Sequence, residues 1–471
     1  MRTDERARID RGNRRLSTPF VRGGSEALRL LPFGKLAIGC VVSGSILLRT
    51  APARGQPASA PPSCSSLVSS SGSLASPVLT VSGPSDAEGS DGPEALAQAM
   101  ANNLENASIS ILYVPQPPCD AVGNVVGGTS APAPALLLEP VSMAASAQPC
   151  TGPGDSPDIA ISDIDPDTCA RNLGTPQLTA AGQRDVIGPV QVVTFVVPQG
   201  SSERSISADA AYVVFGFGAS AYVVEPWSRS DSIFTPDVQS GPLNLVGTAI
   251  GLAPAGFANA AQTTWTATTA LINALSQVAN ASAAIGILPS PIAESSNETV
   301  RVLAYQHTGQ QCGYLPNSDA DHRDKINVRQ GRYDLWGPLH IVTSVDANGQ
   351  PLDHTGQPNA ALAAVIDWLD ESGPAPGSAP TGGLLDASSF SLDAQSLVEG
   401  EAMAGLIPWC AMQVIRSAGA LSEASYASPA PCGCSYENAL GATTSTCMAC
   451  RQDGDCNSGA PTCRFGFCEV Q

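Results

Sequence analysis

The chain has almost no lysine. Its 471 residues hold two, Lys35 and Lys325, and all basic residues together number 23 against 42 acidic ones. Ten of the basic residues crowd into the first 53 positions, beside four acidic ones. Beyond residue 53 the balance is 13 basic against 38 acidic, a charge of −25. A body this acidic repels polyanions, which argues against nucleic acid or anionic membrane as partner and favours solubility. Histidine is scarce too. The four, at 307, 322, 340 and 354, never stand four apart, so the helical ligand pair of a catalytic zinc site is missing. No Gly-x-Ser-x-Gly elbow occurs, and the cysteines of the body read as structural. No hydrolase constellation results, and neither an enzyme nor a cofactor is expected. Asp163, Asp165 and Asp167 alternate, as do Asp319 and Asp321 near His322 and Asp324. Both patches lack the glycine and distal glutamate of a calcium loop, so they read as solvated turns.

Cysteine, by contrast, is abundant at 14 residues. That many in a reduced compartment would call for metal or redox chemistry; export and disulfides are the simpler reading. The N-terminus agrees. An Arg-rich leader ends at Lys35, Leu36–Leu48 is apolar, and Ala51-Pro52-Ala53 offers small residues for cleavage. The apolar run is too short for a stable membrane anchor, so residues 1–53 are expected to be a signal peptide. Leu36-Ala37-Ile38-Gly39-Cys40 faintly resembles a lipoprotein box, but the apolar run continues past Cys40. A membrane contact is expected only if Cys40 is acylated. The expected location is periplasmic, cell-surface or secreted.

Residues 54–76, rich in Ser, Pro, Ala and Gly, read as a linker. Cys64 lies in it and is expected to be the odd thiol. Strand patterns follow at Pro77–Val81, Ile109–Val114 and Asp158–Ser162, with a helix at Glu94–Leu104 between the first two. Strand, helix, strand in that order implies a parallel sheet with helices across its faces. Val186–Val197 is a long β-branched run suited to a buried strand crossing between lobes, and Tyr333–Ser344 would cross back. Helices are expected near 243–252, 265–278, 362–369 and 396–406. Short strands are expected at Ala284–Leu288, Val300–Tyr305 and Trp409–Ile415, and residues 373–383 read as a Pro/Gly loop.

The tail, 432–471, reads as a separate small unit. Cys432, Cys434, Cys447, Cys450, Cys456, Cys463 and Cys468 fall there with few apolar neighbours. A unit so poor in core needs staples, and without histidine those are disulfides rather than zinc. Seven cannot pair among themselves, so Cys410 is a natural eighth member. Cys119, Cys150, Cys169 and Cys312 are expected to pin the first lobe's loops, with pairing left open.

Three segments resemble the phosphate-type substrate-binding proteins of ABC transporters: the strand and Ser-Asp turn of Asp158–Asp163, the turn and helix of Ile233–Leu252, and Ala267–Leu288 with its Ala284-Ile285-Gly286-Ile287. The resemblance covers roughly residues 77–418. It implies an α/β, two-lobed, periplasmic-binding-protein-like (type II) fold. Lobe 1 is then 77–190 and 306–420, and lobe 2 is 191–305. A small ligand, phosphate or another anion, is held in the cleft, and an ABC transporter permease is the partner. Ser82 and Ser85 fall where the first binding turn belongs. Asp163 falls beside Ser162 at the position that accepts a proton from an oxyanion, and Ser240-Gly241 falls at a further turn. Ser162 and Asp163 read equally well as the N-cap of a following helix.

The departures weaken the phosphate expectation. Gln116-Pro117-Pro118-Cys119 replaces a Gly/Ser-rich turn, and proline has no N–H to donate. Thr235–Pro242 lacks the family's arginine and carries Asp237 instead. The expected function is solute capture by closure of the lobes. The alternative is a secreted structural or interaction protein that kept this fold and lost its site.

Overall fold

The computed structural model describes residues 61–70, 78–85, 92–104, 109–128, 134–138, 148–152, 154–178, 182–218, 224–259, 264–265, 267–370, 394–416, 423–441 and 447–469. The expected signal peptide with Cys40, the rest of the linker and the 373–383 loop lie outside them.

Two strands organise everything else. Gln183–Pro198 is 16 residues long and Trp336–Val345 is ten, and they run antiparallel from Trp336 opposite Val192 to Ser344 opposite Gln183. On one side of this pair lies the first α/β lobe. Val78–Gly83 sits between Ser110–Pro115 and Ile159–Ser162, parallel to both, and Ile159–Ser162 lies antiparallel to Trp336–Val345. On the other side, the far end of Gln183–Pro198 pairs with Ile285–Pro289, which is parallel to Ile233–Pro236, itself parallel to Thr264–Trp265. One twelve-stranded sheet thus passes through two lobes that share their middle strands. This order is that of the two-lobed, periplasmic-binding-protein-like (type II) fold.

The long β-branched run explains why the crossover strand is buried on both faces. Phe195 and Val197 enter one core of the second lobe with Phe215, Ile233, Leu243 and Ile285. Val196, pointing the other way along the pleat, enters a second core with Phe234, Leu271, Leu275 and Leu288. The first lobe closes over Leu79, Val81, Leu96, Met100, Ile111, Ile161 and Ile341. Leu96, Met100 and Leu104, spaced by four, put one face of the helix Gly92–Leu104 into that core.

Several expectations need correction. Residues 306–335 do not rejoin the first lobe. Lys325 buries its ammonium on Glu294 at 2.7 Å, and the Tyr333 hydroxyl donates to the Val193 carbonyl at 2.8 Å, so the segment stays with lobe 2 until Trp336. The expected strand Trp409–Ile415 begins as a tight 3-10 turn, Trp409–Ala411, and only Val414–Arg416 is extended. Val300–Tyr305 divides into Val300–Val302 and Ala304–Gln306, which pair with different strands.

Cysteine pairing departs from expectation at two places. Cys64 is not the odd thiol: it pairs with Cys150. The middle of the supposed linker is laid against lobe 1, with the Cys64 N–H donating to the Thr151 carbonyl at 3.0 Å and the helix Cys64–Ser70 following. Cys312, expected in a disulfide, is free and exposed. It sits in a loop of lobe 2, far along the chain from the lobe 1 loops it was meant to pin. Those are held by Cys119–Cys169, which ties two adjacent helices.

The tail is joined to the body. Cys410–Cys432 bridges the two, followed by Cys434–Cys447, Cys450–Cys463 and Cys456–Cys468. Cys432 and Tyr436 are buried in the core of lobe 2, where Arg329 pairs with Glu437 at 2.7 Å and lies over the Tyr436 ring. The Glu469 carboxylate accepts the Cys434 and Ser435 N–H groups, both at 3.0 Å, stitching the strand Phe467–Glu469 to the helix Gly433–Ala439. Sequence alone showed few apolar residues for a core here because the module borrows one.

Alkylation of the native, unreduced protein should label Cys312 and none of the other twelve cysteines from Cys64 onward. Peptide mapping that finds Cys64 alkylated would overturn this pairing. Replacing Cys119 and Cys169 by serine should cost about 2–4 kcal/mol in denaturant unfolding.

Candidate functional site

In an open α/β sheet the strand ends and the following helix N-termini leave a crevice at their carboxyl side. Here that crevice is a cavity of about 400 Å³ between the lobes. Lobe 1 contributes Pro84 and Ser85 after the first strand, Gly92 and Pro93 at a helix start, Pro115–Pro118 after the second strand, and Asp163 after the third. Lobe 2 contributes Pro236–Asp237, Gln239–Pro242, Trp265, Thr268, Leu271 and Ile287–Pro289.

Local chemistry fixes each turn. Gly83 lets the first turn press against its neighbours, since a Cβ there would fall 2.8 Å from both the Ile161 carbonyl and the Tyr113 hydroxyl. That hydroxyl donates to the Pro84 carbonyl at 2.6 Å, holding Ser85 at the cavity wall. Gln116 is anchored by its N–H to the Gly83 carbonyl at 2.8 Å, and its Oε1 accepts from Asn124 at 2.5 Å. Ser240 caps the helix Gly241–Ile250, its hydroxyl accepting the Leu243 N–H at 3.4 Å. Asp237 Oδ1 accepts the Gln239 N–H at 2.9 Å.

Asp163 stands apart. The cap of the next helix, Pro166–Leu173, is Asp165, which accepts the Thr168 N–H at 2.9 Å. Asp163 is therefore left for the cavity, and its Oδ1 is buried with no hydrogen-bond partner. It reaches across to the opposite lobe at Gly241: a Cβ there would land on the Asp163 carboxylate. Only glycine permits this approach at the start of the helix. Burial pushes the Asp163 carboxyl up from 3.8 to about 7, against the opposing pull of its own backbone N–H, the Gln191 amide and His340. His340, on the return crossover strand, lies 2.9 Å from Asp185 on the outgoing one.

The expected contacts divide. Ser85, Asp163, Ser240 and Gly241 line the cavity. Ser82 and Ser162 do not. Both are fully buried, Ser82 donating to the Val114 carbonyl at 3.1 Å and Ser162 to the Ile164 carbonyl at 2.6 Å. Strand alternation put these two hydroxyls inside the sheet, and only the turn residues beyond them reach the cleft. Gln116 and Trp265 line the cavity although neither was a candidate contact. Gln116 followed from the same turn argument as Ser85, whereas Trp265 gave no signal in a two-residue strand. Of the two acidic patches, Asp319 is engaged locally with His322 at 2.7 Å.

No model of a known protein family matches the chain, and no curated protein matches it in sequence. Solved structures do. A protein described as a phosphate ABC transporter substrate-binding protein from Clostridium perfringens, with bound phosphate, is 12% identical over 70% of this chain and 99% of its own, with a TM-score of 0.41. An ABC-type phosphate transport receptor from Vibrio cholerae is 12% identical over 57% and 87%, with a TM-score of 0.35. The sulfate-bound regulatory domain of an OxyR2 mutant from Vibrio vulnificus is 10% identical over 63% and 97%, with a TM-score of 0.32. At TM-scores of 0.41 and below, the two-lobed assignment stands on the strand order described above.

Because Asp163 keeps its proton in the fold up to about pH 7 but loses it near 3.8 when unfolded, it subtracts stability as pH rises through that window. Asp163→Asn should therefore stabilise the unliganded protein at pH 8, by an amount on the order of 4 kcal/mol at most. The gain should shrink toward pH 4. Urea melts showing no gain at pH 8, or a gain that grows in acid, would contradict this assignment.

Proposed function

We propose that this chain is an exported solute-binding protein that captures a small ligand between its two lobes, and that Ser85, Asp163, Ser240 and Gly241 touch that ligand. The observation that carries the reading is the position of the cavity. It lies where the strand ends of both lobes meet, lined by strand ends and helix starts of each, the place where closure of two lobes would enclose a ligand. The leader and six disulfides support export, and no helix among the described residues is long and apolar enough to cross a membrane. Delivery to an ABC transporter permease is the partner relation that such a role carries. Capture rather than catalysis fits walls made largely of proline, small side chains and carboxyl groups.

A second reading has one specific observation in its favour. Asp163 already touches Gly241 across the cleft, and a protein that had become purely structural could keep its lobes shut in this way.

Thermal melts and small-angle scattering against a panel of sugars, amino acids, amines and inorganic anions separate the two. Capture predicts a ligand that adds about 2.7 kcal/mol of stability at 100 times its Kd and reduces the radius of gyration. A panel that moves neither quantity leaves the structural reading standing. Gly241→Ala, whose methyl displaces the Asp163 carboxylate, should keep native circular dichroism and lower the affinity for that ligand at least about tenfold. Unchanged affinity would remove the Asp163–Gly241 contact from the site.

A further inference from the structure

Resting on the capture reading, we infer that the cleft is built for a neutral polyhydroxylated molecule, a sugar or polyol, rather than for an oxyanion. The charges of the lining come first. Among the described residues it includes two carboxyl groups, Asp163 and Asp237, and no lysine, arginine or histidine. An oxyanion desolvated there would meet carboxyl groups and no cation to pair with.

Backbone donors are reduced as well. Helix N-termini ordinarily offer N–H groups to an anion. Here Pro93 stands second in one helix, Pro117 and Pro118 open another, and Pro242 stands second in a third. Eight of the 21 lining residues are proline. At Gly241, where an anion would be seated, the Asp163 carboxylate is already in place.

The unsatisfied groups then select the ligand. Three cavity-lining residues carry a buried polar atom with no partner: Asp163 Oδ1, Gln116 Nε2 and Trp265 Nε1. One accepts and two donate. Gln116 has its oxygen held by Asn124, which leaves the Nε2 donor over. A fully ionised oxyanion answers the two donors but is opposed by Asp163 whenever that carboxyl is ionised, with no cation in the described lining to offset it. An ammonium answers Asp163 and leaves both donors orphaned. A hydroxyl donates and accepts on one atom, so neighbouring hydroxyls on one carbon skeleton answer all three. A hydroxyl also tolerates either protonation state of Asp163, accepting from the acid and donating to the carboxylate. The proline rings and the indole supply apolar walls for the C–H faces of such a skeleton, and about 400 Å³ is room for a sugar.

Isothermal titration of the full chain, disulfides formed, tests this with three groups of probes. They are D-glucose, D-galactose, D-ribose, myo-inositol and maltose; then phosphate and sulfate; then putrescine and choline. Binding by one of the neutral probes, little changed between 20 mM and about 500 mM salt, is the expected result. Trp265→Phe, which keeps the ring and removes the donor, should weaken that binding about fivefold to tenfold. Asp163→Asn should weaken it while raising the melting temperature at pH 8, so a loss of binding cannot be put down to misfolding. Tighter binding of phosphate, sulfate or an amine than of any neutral probe overturns the inference and leaves capture intact. Silence from all three groups overturns both.

Discussion

The structure depends on the antiparallel pairing of Gln183–Pro198 with Trp336–Val345. These strands belong to neither lobe alone. Their near ends are bordered by the parallel strands of lobe 1, and the far end of the longer one carries the sheet of lobe 2. The cleft is lined by strand ends and helix starts of the two lobes that this pair joins. The pair is buried because its residues are β-branched and apolar on both faces. The same pairing is what joins the two lobes through the sheet.

Asp163 shows what that scaffold does to one side chain. It follows the strand Ile159–Ser162, which is held in register with the return strand, so the carboxyl is carried to the cleft, where its Oδ1 is buried. Burial raises its affinity for a proton, and His340, which pulls the other way, is paired with Asp185 on the other crossover strand. The carboxyl ends against Gly241 of the opposite lobe. A group of this kind is costly to hold in an unliganded fold, and its persistence is understandable where something else shares the cavity with it.

The second lobe is enlarged by what comes after the crossover. Residues 306–335 and the first part of the Cys-rich tail pack on it through Lys325–Glu294 and Arg329–Glu437. Both are buried ion pairs, which specify an arrangement more than they strengthen it. Lys325, the single lysine beyond the leader, is spent inside the protein. With four disulfides, these pairs let a 37-residue stretch with little core of its own hold one conformation.

The sequence by itself determined the alternation of strands and helices, the two crossover runs, the turns that would face a cleft and the dependence of the tail on disulfides. Those features are local: hydrophobic period, proline and glycine placement, and cysteine density act within a few residues. It also marked Asp163 and Ser240-Gly241 as turn residues, and it marked Ser82 and Ser162 equally, because a pattern of types does not say which hydroxyl faces the sheet. Only the tertiary structure decided that those two serines are spent on backbone carbonyls. Long-range packing likewise paired Cys64 with Cys150, left Cys312 free, kept residues 306–335 with lobe 2 and brought Trp265 to the same cavity as Gln116. Each of these joins segments tens to hundreds of residues apart, and such contacts are fixed by how two sheets and their helices pack, which no local pattern records.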